Sequence, residues 1–180
     1  MEDAGHSGFT LIELLVAVSL VALLAGLAIP AMGHFVDRAR LRGAAGTLVQ
    51  ELRQARNRAI NFQQTIYFSF RRRSAQDWCY GWSDQTACDC RLDANQPNAC
   101  LRGENSNAHG HRQLSSHFPS VTLDTAAGSS LVKLQFAAIR GTARAGSVNI
   151  SNKAGEVRVI ISPLGRVRSC TTRGQVLAPC

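Results

Sequence analysis

Apolar residues follow three successive rhythms along the chain. From Phe9 to Ala31 almost every position is apolar and Glu13 is the one charge, in the run F-T-L-I-E-L-L-V-A-V-S-L-V-A-L-L-A-G-L-A-I-P-A. About 20 such residues cross a bilayer as a helix. From Val36 to Ala59 the apolar positions thin to a stripe. Val36, Ala39, Leu41, Ala44, Ala45, Leu48, Leu52, Ala55 and Ala59 recur mostly every three or four residues, with Arg38, Arg42, Arg53, Arg56 and Arg58 between them. That spacing predicts an amphipathic helix with its arginines on a solvated face. The two segments read as one helix over 9–62, apolar all round before Pro30 and one-sided after it. Gly26 and Pro30 weaken helix propensity where the halves meet, so a kink or local melting is expected there.

From Gln64 onwards the rhythm shortens to that of strands. Thr65–Phe70, Trp78–Trp82, Val121–Leu123, Leu131–Ala138, Ser147–Ile150 and Val157–Ile161 are short runs rich in β-branched and aromatic residues, separated by Gly, Asn, Pro and Ser. Arg71-Arg72-Arg73 reads as the guard of an edge strand. Asp84–His111 is polar and holds three cysteines, which predicts a loop excursion pinned by disulfides. The fold class is therefore α+β, a long N-terminal helix packed on an antiparallel β domain over 63–180.

Charge sharpens this picture through its placement. The chain carries 20 Lys+Arg against 12 Asp+Glu, a formal net charge of +8. Thr125 to Cys180 holds Lys133, Arg140, Arg144, Lys153, Arg158, Arg166, Arg168 and Arg173 against Glu156 alone, whereas Ser74 to Asp124 has six acids and three arginines. A segment of one sign points to an anionic partner. The six cysteines, Cys79, Cys88, Cys90, Cys100, Cys170 and Cys180, all lie beyond the helix. Cys88-x-Cys90 near His109-x-His111 lacks the usual zinc-ligand spacing, so disulfides are expected, with no metal and no cofactor. His109, His111 and His117 have no paired nucleophile, and no enzyme is expected.

The N-terminal run departs from an ordinary signal peptide. Met1–Gly8 contains Glu2, Asp3 and His6 but no Lys or Arg, so the positive region is missing. Glu13 also sets a carboxylate inside the apolar run, at a cost of about 2.5–3.5 kcal/mol at the membrane centre. Gly8-Phe9-Thr10-Leu11-Ile12-Glu13, followed by an apolar helix with Pro30, resembles the class III signal of type IV pilins and type II secretion pseudopilins. The resemblance implies a leader, residues 1–8, that a prepilin peptidase cuts between Gly8 and Phe9, with methylation of the new Phe9 amine. It implies a single-pass inner-membrane helix over 9–31, then periplasm and cell surface within a pilus of other pilins. Glu13 takes the place of the family's conserved glutamate, and its carboxylate would neutralise the Phe9 amine of an adjacent subunit in the apolar filament core. The size of the β domain, Phe136–Gly141 ahead of a strand, and the C-terminal Gly165-Arg166-Val167-Arg168 resemble the FimT/GspH branch.

The last of these motifs has chemistry of its own. Ser162-Pro163-Leu164-Gly165 has the residue preferences of a type I turn. In the strand that follows, a period of two sends Val167 inward and Arg166 and Arg168 outward together, roughly 6.7 Å apart. That is of the order of the spacing between neighbouring phosphates on one nucleic-acid strand, and a guanidinium offers each phosphate a planar fork. Strict alternation also puts Cys170 outward, and a Cys170–Cys180 bridge would fold Thr171–Pro179, including Arg173, beside the pair. Pairing of the other four cysteines stays open. Two outward arginines could equally be edge protection. In FimT-like minor pilins a C-terminal Gly-Arg-x-Arg motif binds DNA for uptake, and Gly165, Arg166 and Arg168 match it. The expectation is a minor pilin that binds extracellular double-stranded DNA for transformation through Arg166 and Arg168, with Lys133, Arg140, Arg144, Arg158 and Arg173 contributing. The alternatives are a GspH-like subunit that primes filament assembly without binding DNA, and an adhesin for acidic polymers.

Overall fold

The computed structural model describes residues 10–84, 88–94, 96–100, 110–125 and 131–180, without the side chains of 27–31 and 131–133. Gly8, Phe9 and His109, and the side chains of Pro30 and Lys133, lie outside the described residues. The chain forms two compact units, 1–36 and 37–180.

One helix, α1, is continuous from Leu11 to Asn61. It therefore crosses Gly26 and Pro30 without the break in helical backbone that local melting would give. At its start the Thr10 hydroxyl accepts a hydrogen bond from the Glu13 N–H at 3.3 Å. Thr-x-x-Glu is the spacing of a capping box, a local helix-start signal overlaid on the Gly8–Glu13 motif. In the first unit Leu11, Ile12, Leu14, Leu15, Val18 and Leu24 are all exposed. Among the described residues no helix is long and apolar enough to cross a membrane. The 9–31 span expected from the sequence takes in Phe9 and the side chains of 27–31.

In the second unit the stripe becomes the packed face of α1: Leu41, Ala44, Ala45, Leu48, Leu52, Ala55 and Ala59 are buried. They meet two antiparallel sheets. The strands are β1 (Ile66–Arg72), β2 (Trp78–Ser83), β3 (Gly110–Leu114), β4 (Thr122–Thr125), β5 (Leu131–Phe136), β6 (Gly146–Asn152), β7 (Gly155–Ile161) and β8 (Val167–Arg173). One sheet runs β3-β2-β1-β5 and the other β4-β6-β7-β8. The helix stripe, the β1–β2 aromatics Phe68, Phe70, Trp78 and Tyr80, and the inner residues Val157, Val159 and Ile161 of β7 form one continuous cluster. On β7 the alternation is strict, buried at odd positions and half-buried at even ones, as a strand with one covered face requires.

Two sequence expectations are corrected here. Arg71-Arg72-Arg73 guards no edge, because β1 is flanked by β2 and β5. Arg71 pairs with Asp89 (3.1 Å) and Arg72 with Asp124 (3.0 Å), tying β1 to the polar excursion and to β4. The excursion ends earlier than the sequence indicates: Gly110 and His111 already belong to β3, paired with Ser83 and Trp82. Gly-His-Arg-Gln-Leu shows no apolar alternation because every residue of β3 is half-buried at a sheet edge. The excursion is pinned by the disulfides Cys79–Cys90 and Cys88–Cys100, and the third bridge joins Cys170 to Cys180.

Candidate functional site

The β7–β8 hairpin builds the site. Gly165 N–H donates to Ser162 O (2.8 Å), and Ser162 N–H donates to Arg166 O (3.0 Å). Gly165 has φ 72°, so the loop is a three-residue turn closed by a left-handed residue. The Ser162 hydroxyl accepts from the Arg166 N–H (3.1 Å) and fixes the first arginine's backbone. A Cβ on Gly165 would collide with Gly141 O and sit 2.8 Å from the Arg56 Nε, so only glycine fits.

Beyond the turn, Val167 pairs with Ile161 and Arg168 with Ile160. Val167 is buried and Arg166 and Arg168 are exposed, which puts both arginines on the outer face of the sheet. Neither arginine side chain has a hydrogen-bond or ion-pair partner among the described residues. Cys170 follows on the same face, opposite Arg158. Its bridge to Cys180 draws the C-terminus back along β8, where Thr171 N–H donates to Ala178 O (2.8 Å) and Cys180 N–H to Thr171 O (3.2 Å). Cys170 is nonetheless buried, because the returning tail covers it.

The helix arginines do more than the sequence predicts. Arg38, Arg42 and Arg53 are exposed as a solvated face requires and Arg56 and Arg58 are half-buried, but several also bond the β domain: Arg53 donates to Val167 O (3.4 Å), and Arg56 donates to Gly141 O and Leu164 O (each 3.3 Å). Arg42 reaches Val176 O at 2.7 Å. Arg58 lies over the rings of Phe62 and Trp82. Arg53 and Arg56 thus hold from behind the turn that presents Arg166 and Arg168 in front. The signal was in the stripe: each of them follows directly on a buried position, Leu52 or Ala55, and so lies at its border.

The remaining basic residues divide. Arg158 joins the pair from the neighbouring strand, its Nε donating to Asn149 Oδ1 at 3.1 Å. Exposed Arg140 and Arg144 stand on the β5–β6 connection, which abuts the turn through Ala143 N–H to Pro163 O (2.9 Å). Arg173 and Lys153 lie at the opposite end of the sheet. Arg173 pairs in register with Glu156, so the tail does not fold it beside Arg166 and Arg168. Lys133 belongs to the other sheet, opposite Ser69.

A second polar cluster joins α1 to the other sheet. Glu51 of α1, 9 % exposed, accepts from Trp82 Nε1 (3.0 Å) and lies 3.1 Å from His111 Nδ1 of β3. Burial pushes the Glu51 carboxyl up, but hydrogen bonds from His111 and Trp82, with the His111 charge and Gln113, leave it below the usual carboxylate value. The bond to Glu51 raises His111 despite its partial burial, with the carboxylate charge helping. Tyr80 is raised by burial and then by Glu51. Among the described residues no group of His, Cys, Asp or Glu could hold a metal ion.

Comparison with known proteins places this architecture. Residues 44–165 match the family described as Type II transport protein GspH, and residues 4–29 match the prokaryotic N-terminal methylation motif. No curated protein matches. Two crystal structures of the type IV minor pilin FimU of Pseudomonas aeruginosa PAO1 are similar in fold. One aligns at TM-score 0.50 and 22% identity, over 78% of this chain and 97% of that one. The other aligns at TM-score 0.46 and 18% identity, over 74% and 96%. The GspH match ends at Gly165, immediately before the arginine pair.

Proposed function

The chain belongs to the GspH family of pilin-like proteins, with a minor-pilin fold, and on that premise we propose that it binds extracellular double-stranded DNA for uptake as a subunit of a type IV pilus. Family and motif together make it a filament protein, with a membrane-anchored precursor, a prepilin peptidase that processes it, and other pilins as partners. Processing then falls between Gly8 and Phe9, with methylation of Phe9, and Glu13 serves assembly by meeting a neighbouring subunit's amine.

The observation that carries the DNA reading is the presentation of Arg166 and Arg168. Arg166, just before β8, and Arg168 within it are both exposed and without a partner among the described residues, near Arg158, beyond a turn whose Leu164 O accepts from Arg56. Exposed guanidiniums on one strand face, with Cα atoms at roughly phosphate spacing, are free to turn their planar forks to neighbouring phosphates. Binding is mainly electrostatic and independent of sequence, because phosphate contacts position a protein and carry no base information. Arg140 and Arg144 extend the surface, while Arg173 and Lys133 contribute only at a distance.

Mobility-shift titration of residues 37–180 against duplex DNA tests this. The Arg166→Gln/Arg168→Gln variant should bind more weakly, and the slope of log affinity against log salt should be shallower by up to about 1.8. Unchanged affinity, or no wild-type binding at low salt, would rule the reading out and leave the alternative of a GspH-like subunit that primes filament assembly without binding DNA.

A further inference from the structure

The turn region that presents the arginines also exposes two apolar side chains. Leu164 at the tip of the β7–β8 turn is 72 % exposed, and Ile139 on the β5–β6 connection is 70 % exposed. Their segments are fastened together, since Pro163 O accepts from Ala143 N–H and the Arg56 guanidinium spans Gly141 O and Leu164 O.

Ile139 is also the strained residue of the region. It has φ 69°, and Arg140 N–H donates to Ala138 O at 2.8 Å, closing a three-residue turn around it. A β-branched side chain rarely adopts that conformation, which glycine or asparagine tolerates. An exposed isoleucine there adds nothing to the core, and strain of this kind concentrates where a protein meets a ligand. Around the two tips stand Arg140, Arg144, Arg166 and Arg168, all exposed. The acid nearest in sequence, Glu156, lies at the far end of β7, opposite Arg173.

We propose that Leu164 and Ile139 are DNA-contacting residues, an apolar pair that presses on deoxyribose and base-edge surface between phosphates held by the arginines, an inference that rests on the DNA-binding reading above. A DNA strand carries anionic phosphate beside less polar sugar, and this region exposes both guanidinium and hydrocarbon. Apolar side chains that enter a groove can wedge against base steps as well. The arginines then carry the salt-dependent part of binding and the tips a salt-insensitive part. An anionic membrane has the same general chemistry, but two isolated tips offer little apolar area for insertion.

The test uses the full chain in neutral detergent and a short fluorescent duplex, with Ile139→Gly, Leu164→Ser and the double variant read by anisotropy across a salt series. Each single variant should lower affinity roughly fivefold, about the worth of one partly buried apolar side chain, with the salt slope unchanged. Ile139→Gly should keep its melting temperature, because it relieves the backbone conformation, and Leu164→Ser touches no core position. Wild-type binding with unchanged affinity in the variants overturns this inference and leaves the DNA reading standing. No wild-type binding at low salt removes both. Two other outcomes also overturn it: weaker binding to phosphatidylglycerol vesicles with DNA binding intact would assign the tips to a lipid surface. Loss of self-association with DNA binding intact would assign them to a second copy of the chain.

Discussion

Gly165→Ala is expected to destabilise the 37–180 unit by about 2–4 kcal/mol, combining the cost of a left-handed alanine with that of overpacking. Gly165 sits at φ 72° with Gly141 O where its Cβ would go and the Arg56 Nε on the other side. Nothing nearby yields cheaply. One obstacle is backbone, and the other is a guanidinium that bonds Gly141 O and Leu164 O. Thermal or urea unfolding measures the loss, which should also remove most DNA binding as the turn beneath Arg166 shifts. Gly165→Asn separates the two terms, because asparagine tolerates the conformation but keeps the Cβ. It should fall between alanine and wild type. An alanine variant as stable as the wild type would mean that the turn relaxes freely and that the clamp from α1 does not define the site.

The second large effect is expected at Glu51. Glu51→Ala strands the buried Trp82 Nε1–H and removes the partner of His111, at a cost of about 2–3 kcal/mol. At this domain size that lowers the melting temperature by roughly 4–12 °C. The pair also sets a pH profile. His111 is raised, so its contribution is full below its ordinary value of 6.5 and fades as pH climbs through its folded pKa. Glu51 is lowered, so its contribution is full above its ordinary value of 4.5 and fades as pH falls through its folded pKa. Stability from the pair is therefore greatest in the mildly acidic window between those values. Tyr80 and Gln113 face the same carboxylate, and Arg58 lies over the Trp82 ring. Glu51→Gln, which keeps a side-chain acceptor for Trp82, should flatten the profile with a smaller loss of stability. A profile unchanged in Glu51→Gln would exclude this pair as its source.

Much of the architecture is readable in the chain because its signals are local. The helix stripe from Leu41 to Ala59 needs only a period of 3.6, and β7 needs only the alternation of Val157, Val159 and Ile161. The Ser162–Gly165 turn is legible for the same reason, since Pro and Gly each restrict or permit particular backbone angles. β3 was not legible. A half-buried edge strand has no apolar face to announce it, and only its pairing with β2 reveals it. The role of Arg71 and Arg72 is not legible either, because whether β1 is central or an edge depends on which strands pair across long sequence separations.

The candidate site divides along the same line. Sequence alone marks Arg166 and Arg168 as neighbours on one strand face, since i and i+2 share a side whatever the rest of the protein does. It also groups the basic residues into one C-terminal segment, which is a statement about sequence distance and not about space. Tertiary structure separates Arg173 and Lys133 from the pair and adds Arg158 through cross-strand register. It adds bonds from exposed Arg53 to β8 and from half-buried Arg56 to the turn, and it sets Leu164 beside the β5–β6 connection that carries Ile139. Those relations join residues as many as 114 positions apart, and no local period encodes them. They arise only when the helix and both sheets close around one core and bring the helix arginines within reach of carbonyls on β8 and its turn.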